Sequence, residues 1–270
     1  IDLRGTAVEV ARRMGVLPAL QAVHVDMQKI TFLYPDGSPI TSVGTGPTSG
    51  GGSTGDLELR RGDLTAVLYD SVRNDVEFRF NDSISTLHQR PEAVDVTFHS
   101  GQQHTYDLVI GADGLHSSTR AKVFGPEEQF HHYLGNCFAG FAVPNTLGLS
   151  HEAVLWNAPG RTAALYATGN QATVHGFLSF HSPEPPFSAF RNPRAQRDLV
   201  ASMFPHPDWQ IPALVEAMRQ GDDLFFDVVS QIRMPQWSSG RVALVGDAAF
   251  APSFLTGQGT SVALVGAYML

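Results

Sequence analysis

Asp107-Leu108-Val109-Ile110-Gly111-Ala112-Asp113-Gly114, with Ser117 and Arg120 following, carries the strongest fold signal in the sequence. A short run that is apolar at consecutive positions suits a strand of a parallel sheet, covered on both faces. It ends in small residues and one carboxylate, at the edge where open α/β sheets bind their ligands. Asp113 can accept hydrogen bonds there from a hydroxyl or amide, or simply cap the next helix. A second such run, Arg241-Val242-Ala243-Leu244-Val245, leads into Gly246-Asp247-Ala248-Ala249 and then Gly257-Gln258-Gly259-Thr260-Ser261. Backbone N–H groups at a helix start suit an anion or an electron-rich ring edge. A carboxylate repels pyrophosphate, so Asp247 suits a sugar-type hydroxyl better; its plainer role is again a helix cap beside packing glycines.

Outward from these runs, Ala7, Val10, Ala11 and Met14 predict an amphipathic helix closed by Gly15. A hairpin follows around Pro35-Asp36-Gly37. Residues 44–55 are glycine-rich and predict a surface loop. Residues 61–72 predict a helix, residues 76–80 a strand, and Val94, Val96 and Phe98 one arm of a hairpin turning at Ser100-Gly101. From about 126 to 236 the pattern changes to short antiparallel-type strands, interrupted by helices near 194–203 and 212–219.

The chain has 270 residues, 43% of them hydrophobic and 16% charged, enough for one large folded domain or two ordinary ones. Eighteen basic residues against 26 acidic ones give a net charge of −8. No basic run is long enough to track a phosphate backbone, so nucleic acid is not an expected partner. The single cysteine, Cys137, excludes an internal disulfide and suits a reducing cytoplasm. The longest apolar stretch, residues 262–270, falls short of the roughly 18 residues of a bilayer span. It reads as a buried helix, and no membrane is expected. Among the eleven histidines, His131-His132, His99 and His104, and His206 lack the helical spacing of a metal motif, so no metal is assigned. The chain starts without methionine and stops inside an apolar helical pattern, and so reads as cut at both ends.

The Gly111-Ala112-Asp113-Gly114, Ser117, Arg120 run and the Gly246-Asp247-Ala248-Ala249 to Gly257-Gln258-Gly259 run resemble the two internal fingerprints of a known family. These are the para-hydroxybenzoate hydroxylase-like class A FAD-dependent aromatic monooxygenases. Leu59-Arg60-Arg61-Gly62-Asp63-Leu64 is similar to that family's aliphatic-x-Arg-x-x-Leu pattern, and Asp2-Leu3-Arg4-Gly5 to the segment that passes near its flavin ring. The resemblance implies that Arg61 and Arg4 contact the cofactor and that Asp247 hydrogen-bonds the ribityl chain. It further implies that Gly257, Gln258, Gly259, Thr260 and Ser261 line the pyrimidine edge of the flavin, and that Asp113 sits by the groove linking cofactor and pyridine nucleotide. Arg120 braces that turn. Phe250 stands where the family often has His and Phe254 where a proline usually packs. Either ring can stack on the flavin, shape a pocket or block it, and both join Trp156 as candidate substrate-pocket residues.

The family's Gly-x-Gly-x-x-Gly turn is expected about 30 residues before Arg4 and is not in the chain. Gly50-Gly51-Gly52-Ser53-Thr54-Gly55 matches its letters but follows no buried strand, and reads as a decoy. The chain as given is therefore expected to bind FAD poorly. The implied fold is α/β: a Rossmann-like parallel-sheet FAD domain lacking its first βα unit, with an inserted, mainly antiparallel substrate domain. The first is expected to comprise residues 1–22, 41–125 and 236–270, and the second 23–40 and 126–235. The implied activity is NAD(P)H- and O2-dependent hydroxylation of an aromatic or polyketide-like small molecule, by a monomer or homodimer, with no side chain assigned as catalytic. The alternatives are another FAD-dependent oxidoreductase on the same scaffold, or a non-catalytic flavin-fold ligand-binding fragment.

Overall fold

A computed structural model describes residues 1–44, 55–190, 192–205 and 207–270. The glycine loop at 45–54, with the decoy motif, and His206 lie outside the described residues. In chain order the elements are β1 (Asp2–Leu3), α1 (Thr6–Arg13), α2 (Leu17–Ala22), β2 (Lys29–Leu33), β3 (Pro39–Gly44), β4 (Leu57–Glu58), α3 (Arg61–Val72), β5 (Ile84–Gln89), β6 (Val94–Phe98), β7 (Gln103–Tyr106), β8 (Val109–Gly111) and α4 (Ser118–Val123). They continue with β9 (His131–Pro144), β10 (Glu152–Ala158), β11 (Arg161–Ala167), β12 (Thr173–His181), α5 (Pro193–Met203), α6 (Ile211–Gln220), β13 (Phe225–Ile232), β14 (Ser238–Ser239), β15 (Val242–Leu244), α7 (Asp247–Phe250) and α8 (Gly259–Met269). The described chain divides into two compact units, one of Ile1–His24, Gly55–His132 and Ser230–Leu270, the other of residues 25–44 and Tyr133–Val229.

In the first unit β8 and β15 run parallel, pairing Val109 with Val242 and Gly111 with Leu244. Helix α4 packs on this pair so closely that a methyl on Gly111 would lie 2.6 Å from Leu244 Cδ2 and 2.9 Å from Thr119 Cβ. Gly111→Ala is therefore expected to destabilise the fold by about 1–3 kcal/mol through overpacking. Urea unfolding checks this, and an unchanged midpoint would mean that α4 is not seated on the strands.

Three sequence expectations in this unit need correction. Residues 76–80 form no strand: among the described residues no backbone ladder pairs with them, and they touch the neighbouring hairpin only through side chains, Arg79 reaching Gln102 and His104. Phe78 and Phe80 instead stack on each other at 5.8 Å, and Phe78 meets Tyr69 edge-on. Strand β8 is parallel as expected but stands at the edge of its sheet among the described residues, leaving Leu108 and Ile110 exposed. Residues 262–270 are helical but not buried; Met269 is 77% exposed. Helix α8 packs by one side on α1, and Val262, Val265 and Met269 face a cleft with the other.

The second unit is built on a seven-stranded sheet in the order β13-β9-β12-β11-β10-β2-β3. β9 with β12, β12 with β11, β11 with β10 and β2 with β3 pair antiparallel, while β2 and β10 run parallel. Alternation along β9 and β12 puts Cys137, Ala139, Phe141, Leu178 and Phe180 on one face, where Ile211, Leu214 and Met218 of α6 and Val200 of α5 cover them. Trp156 is 1% exposed in this core, its Nε1 donating to the Pro35 carbonyl at 2.8 Å. An enclosed indole has no face left for a substrate, which corrects its placement in a pocket.

Candidate functional site

Both fingerprint turns leave the same end of two paired parallel strands. The amide of Val245, just past β15, donates to the carbonyl of Gly111, the last residue of β8, at 3.0 Å. From there the chain enters α4 on one side and α7 on the other.

Asp113 is occupied mainly by its own turn. One oxygen accepts from Ser117 Oγ at 2.5 Å; the other accepts from Thr119 N at 2.9 Å and Thr119 Oγ1 at 3.0 Å. Burial pushes this carboxyl up, but the Ser117 and Thr119 hydrogen bonds outweigh it and hold the group below its usual range. Asp113 thus acts as a capping group for α4, alongside Ser117, whose Oγ accepts from Arg120 N.

Asp247 is the opposite case. Its carboxylate is exposed to solvent and accepts no hydrogen bond from the protein among the described residues; partial desolvation by the surrounding turns raises its pKa, opposed by the positive charge of Arg61. It opens α7, whose N-cap Gly246 sits at φ 63°, ψ −144°, a conformation that strains any residue with a side chain. Its Oδ1 lies 3.9 Å from where a methyl on Gly259 would be. Gly257, at φ 63°, turns the chain just before α8, and that helix begins at Gly259 with no side-chain cap. Orphan N–H groups at the start of α8 therefore stand beside an acceptor that lacks a donor. Between α7 and this turn, Ser253 is held at φ 85°. Such backbone strain in a non-glycine residue tends to collect at functional sites.

The opening segment closes the site. Ser261 is 5% exposed and accepts from Arg4 N at 3.0 Å while donating to the Asp2 carbonyl at 3.1 Å. Arg4 Nη2 pairs with Asp2 Oδ2 at 2.5 Å, and Gly5 N donates to Asp56. Helix α1 begins at Thr6 after Gly5, φ 52°, again without a side-chain cap. Arg4, Gln258 and Ser261 are at the same time polar lining of a mostly apolar cleft of about 750 Å³. Phe250 lines that cleft too, wedged edge-on against Trp237 at 5.0 Å and against Gly266, where only a hydrogen fits. Phe254 is 44% exposed on the short turn before Gly257.

The structure thus brings together Arg4, Asp247, Gly257, Gly259 and Ser261, with Arg61 in electrostatic range. Asp113 stands in the turn that follows the neighbouring strand β8, with its oxygens already engaged. Sequence reasoning missed Asp2 and Asp56, which hold the opening segment, and Glu127, which contacts Arg120. Only the acidic pair Glu127-Glu128 after α4 hinted at the last of these.

The flavin end of a dinucleotide, its ring edge and ribityl chain, fits the donors and acceptors on display. Asp247 offers an unengaged acceptor for a ribityl hydroxyl, the uncapped start of α8 offers donors for a ring edge, and Arg61 offers a cation. Comparison with known proteins agrees with the geometry. Residues 57–270 match the FAD binding domain family. The Mycobacterium tuberculosis (strain ATCC 25618 / H37Rv) protein Rv1260 is 42% identical over all of this chain and 73% of its own length. A flavin-dependent monooxygenase of an unknown prokaryotic organism is 35% identical over all of this chain and 69% of its own. Among solved structures, tetracycline destructase Tet(55) superposes with a TM-score of 0.87 at 34% identity, covering 99% of this chain and 68% of that one. The chain belongs to the FAD-binding domain family and, within it, to the class A flavin-dependent monooxygenases.

Proposed function

We propose that the protein hydroxylates a polycyclic, polyketide-like small molecule, drawing electrons from NAD(P)H. The unengaged carboxylate of Asp247, beside the uncapped start of α8, is the observation that carries the reading. Bound FAD supplies the redox chemistry, accepting a hydride and activating O2. The chain supplies position and field. Asp247 accepts a hydrogen bond from the ribityl chain, the N–H groups from Gly259 onward donate to the pyrimidine edge, and Arg61 and Arg4 provide positive charge. Asp113 and Arg120 keep the adjoining turn rigid. Flavin binding is thereby assigned to the first unit.

The substrate is assigned to the second unit, whose sheet has one face covered by α5 and α6 and the other lined with aromatic rings. On that other face Phe138 stacks on Phe177 at 5.6 Å and meets Phe225 at 5.7 Å. Such a surface suits a flat, fused-ring ligand. The likeness to an enzyme named a tetracycline destructase, at 34% identity, supports a substrate of this kind. The test is turnover of the full-length gene product under 18O2 with tetracycline-type polyketides. Substrate-stimulated NAD(P)H oxidation with one 18O atom in the product is expected. Oxidised product without 18O would favour dehydrogenation on the same scaffold, and a protein that stays colourless after FAD addition would favour a ligand-binding role.

A further inference from the structure

Arg120 is 0% exposed, and its guanidinium reaches three places. Nη1 donates to the Ala248 carbonyl at 3.0 Å; Nη2 donates to the Leu115 carbonyl at 2.7 Å and approaches Glu127 Oε2 at 3.4 Å. Ala248 immediately follows Asp247, so Arg120 ties the first fingerprint turn to the second. Helix α7 has four residues and no side-chain cap, far too little to hold its own geometry. What fixes it must come from outside. Glu127 is in turn anchored at its other oxygen by His116 Nδ1 at 2.8 Å, and the His116 and His131 rings stack at 6.2 Å. Burial pushes the Glu127 carboxyl up, but the hydrogen bond from His116 and the charges of His116, Arg120 and His131 outweigh it and keep the group ionised.

We infer that Glu127 is a positioning residue for the flavin: anchored by His116, it orients the Arg120 guanidinium on the Ala248 carbonyl and so sets where Asp247 stands. The inference rests on the reading of Asp247 as the ribityl acceptor. A side chain that touches no ligand thereby controls one that does. Leu115 supplies the second fixed point, so a guanidinium released from Glu127 keeps its two carbonyl bonds but loses the counter-charge that holds its plane on them.

The test uses the full-length gene product loaded with FAD, carrying Glu127→Ala, Glu127→Gln, His116→Ala or Asp247→Asn. Glu127→Ala is expected to raise the FAD dissociation constant about tenfold, the worth of one charge-assisted hydrogen bond. It is also expected to change the visible absorption envelope of the flavin that remains bound. Glu127→Gln keeps an oxygen facing Arg120 and is expected to recover most of the affinity. His116, half exposed, can be truncated without endangering the fold. His116→Ala is expected to weaken binding about threefold, with no further effect once Glu127 is Ala, because coupled residues are not additive. A lower melting temperature with unchanged FAD affinity and spectrum in Glu127→Ala and His116→Ala would overturn the proposal, provided Asp247→Asn weakens binding. If Asp247→Asn has no effect either, it is the reading of the flavin site that fails.

Discussion

Arg120→Met is expected to lower the stability of the fold by about 3–5 kcal/mol, the usual effect of removing one partner from a buried charged network. Methionine fills most of the same volume, so packing changes little. What is lost is the set of donors to the Ala248 and Leu115 carbonyls and the counter-charge to Glu127. Arg120→Lys is expected to recover little, because a single ammonium cannot reach two carbonyls and a carboxylate in the planar fork that guanidinium provides. Arg120 Nε has no hydrogen-bond partner among the described residues, so the native arrangement already carries one unsatisfied donor. Burial lowers the Arg120 pKa, opposed by the charges of Glu127 and Asp113, and the side chain stays cationic at any ordinary pH. Chemical unfolding of the two variants measures the effect. A change within about 0.5 kcal/mol, the range of ordinary surface substitutions, would mean that Arg120 does not join the two turns.

Much of this arrangement could be read from the residues, and the exceptions have physical reasons. The apolar runs at 109–111 and 242–244 and the stripe of Ala7, Val10 and Ala11 follow local periodicity, which survives folding. Asp113 shows how type and spacing can be right while the role stays open. The sequence allows a cap or a ligand contact, and only the positions of Ser117 and Thr119 show that its oxygens are already engaged. Val76, Phe78 and Phe80 alternate like a strand, but a strand exists only where another lies beside it, and no local pattern reports that. The parallel pairing of β2 with β10 joins residues more than a hundred positions apart, again beyond any window. Residues 262–270 are apolar on all sides, so periodicity could not distinguish the side on α1 from the side on the cleft. Glu127 was no more than hinted at by its acidic neighbour, because its importance derives from the burial of Arg120.

Asp247→Asn is expected to weaken FAD binding by about ten- to a hundredfold, since it replaces a charged acceptor for the ligand's hydroxyl with a neutral one. The same change is expected to stabilise the FAD-free protein. Partial desolvation raises the pKa of the solvent-exposed Asp247 carboxyl in the folded state, so between the unfolded and folded values the native state holds the extra proton. Stability falls as pH rises through that window, and the deficit persists above it. Asparagine removes the ionisation, so the gain in melting temperature should be present at neutral pH and vanish below the unfolded carboxylate value. Arg61 offsets part of the penalty and solvent screens the exposed carboxylate, which together keep the gain small. Such opposition between stability and binding is the usual mark of a functional group held without a partner.

The most direct measurement is therefore a pair of titrations on the full-length gene product, FAD affinity and FAD-free melting temperature against pH, for the natural protein and Asp247→Asn. Weaker binding together with a higher melting temperature at neutral pH is the expected result. Unchanged FAD affinity in Asp247→Asn would contradict the assignment of the flavin to the edge shared by β8 and β15.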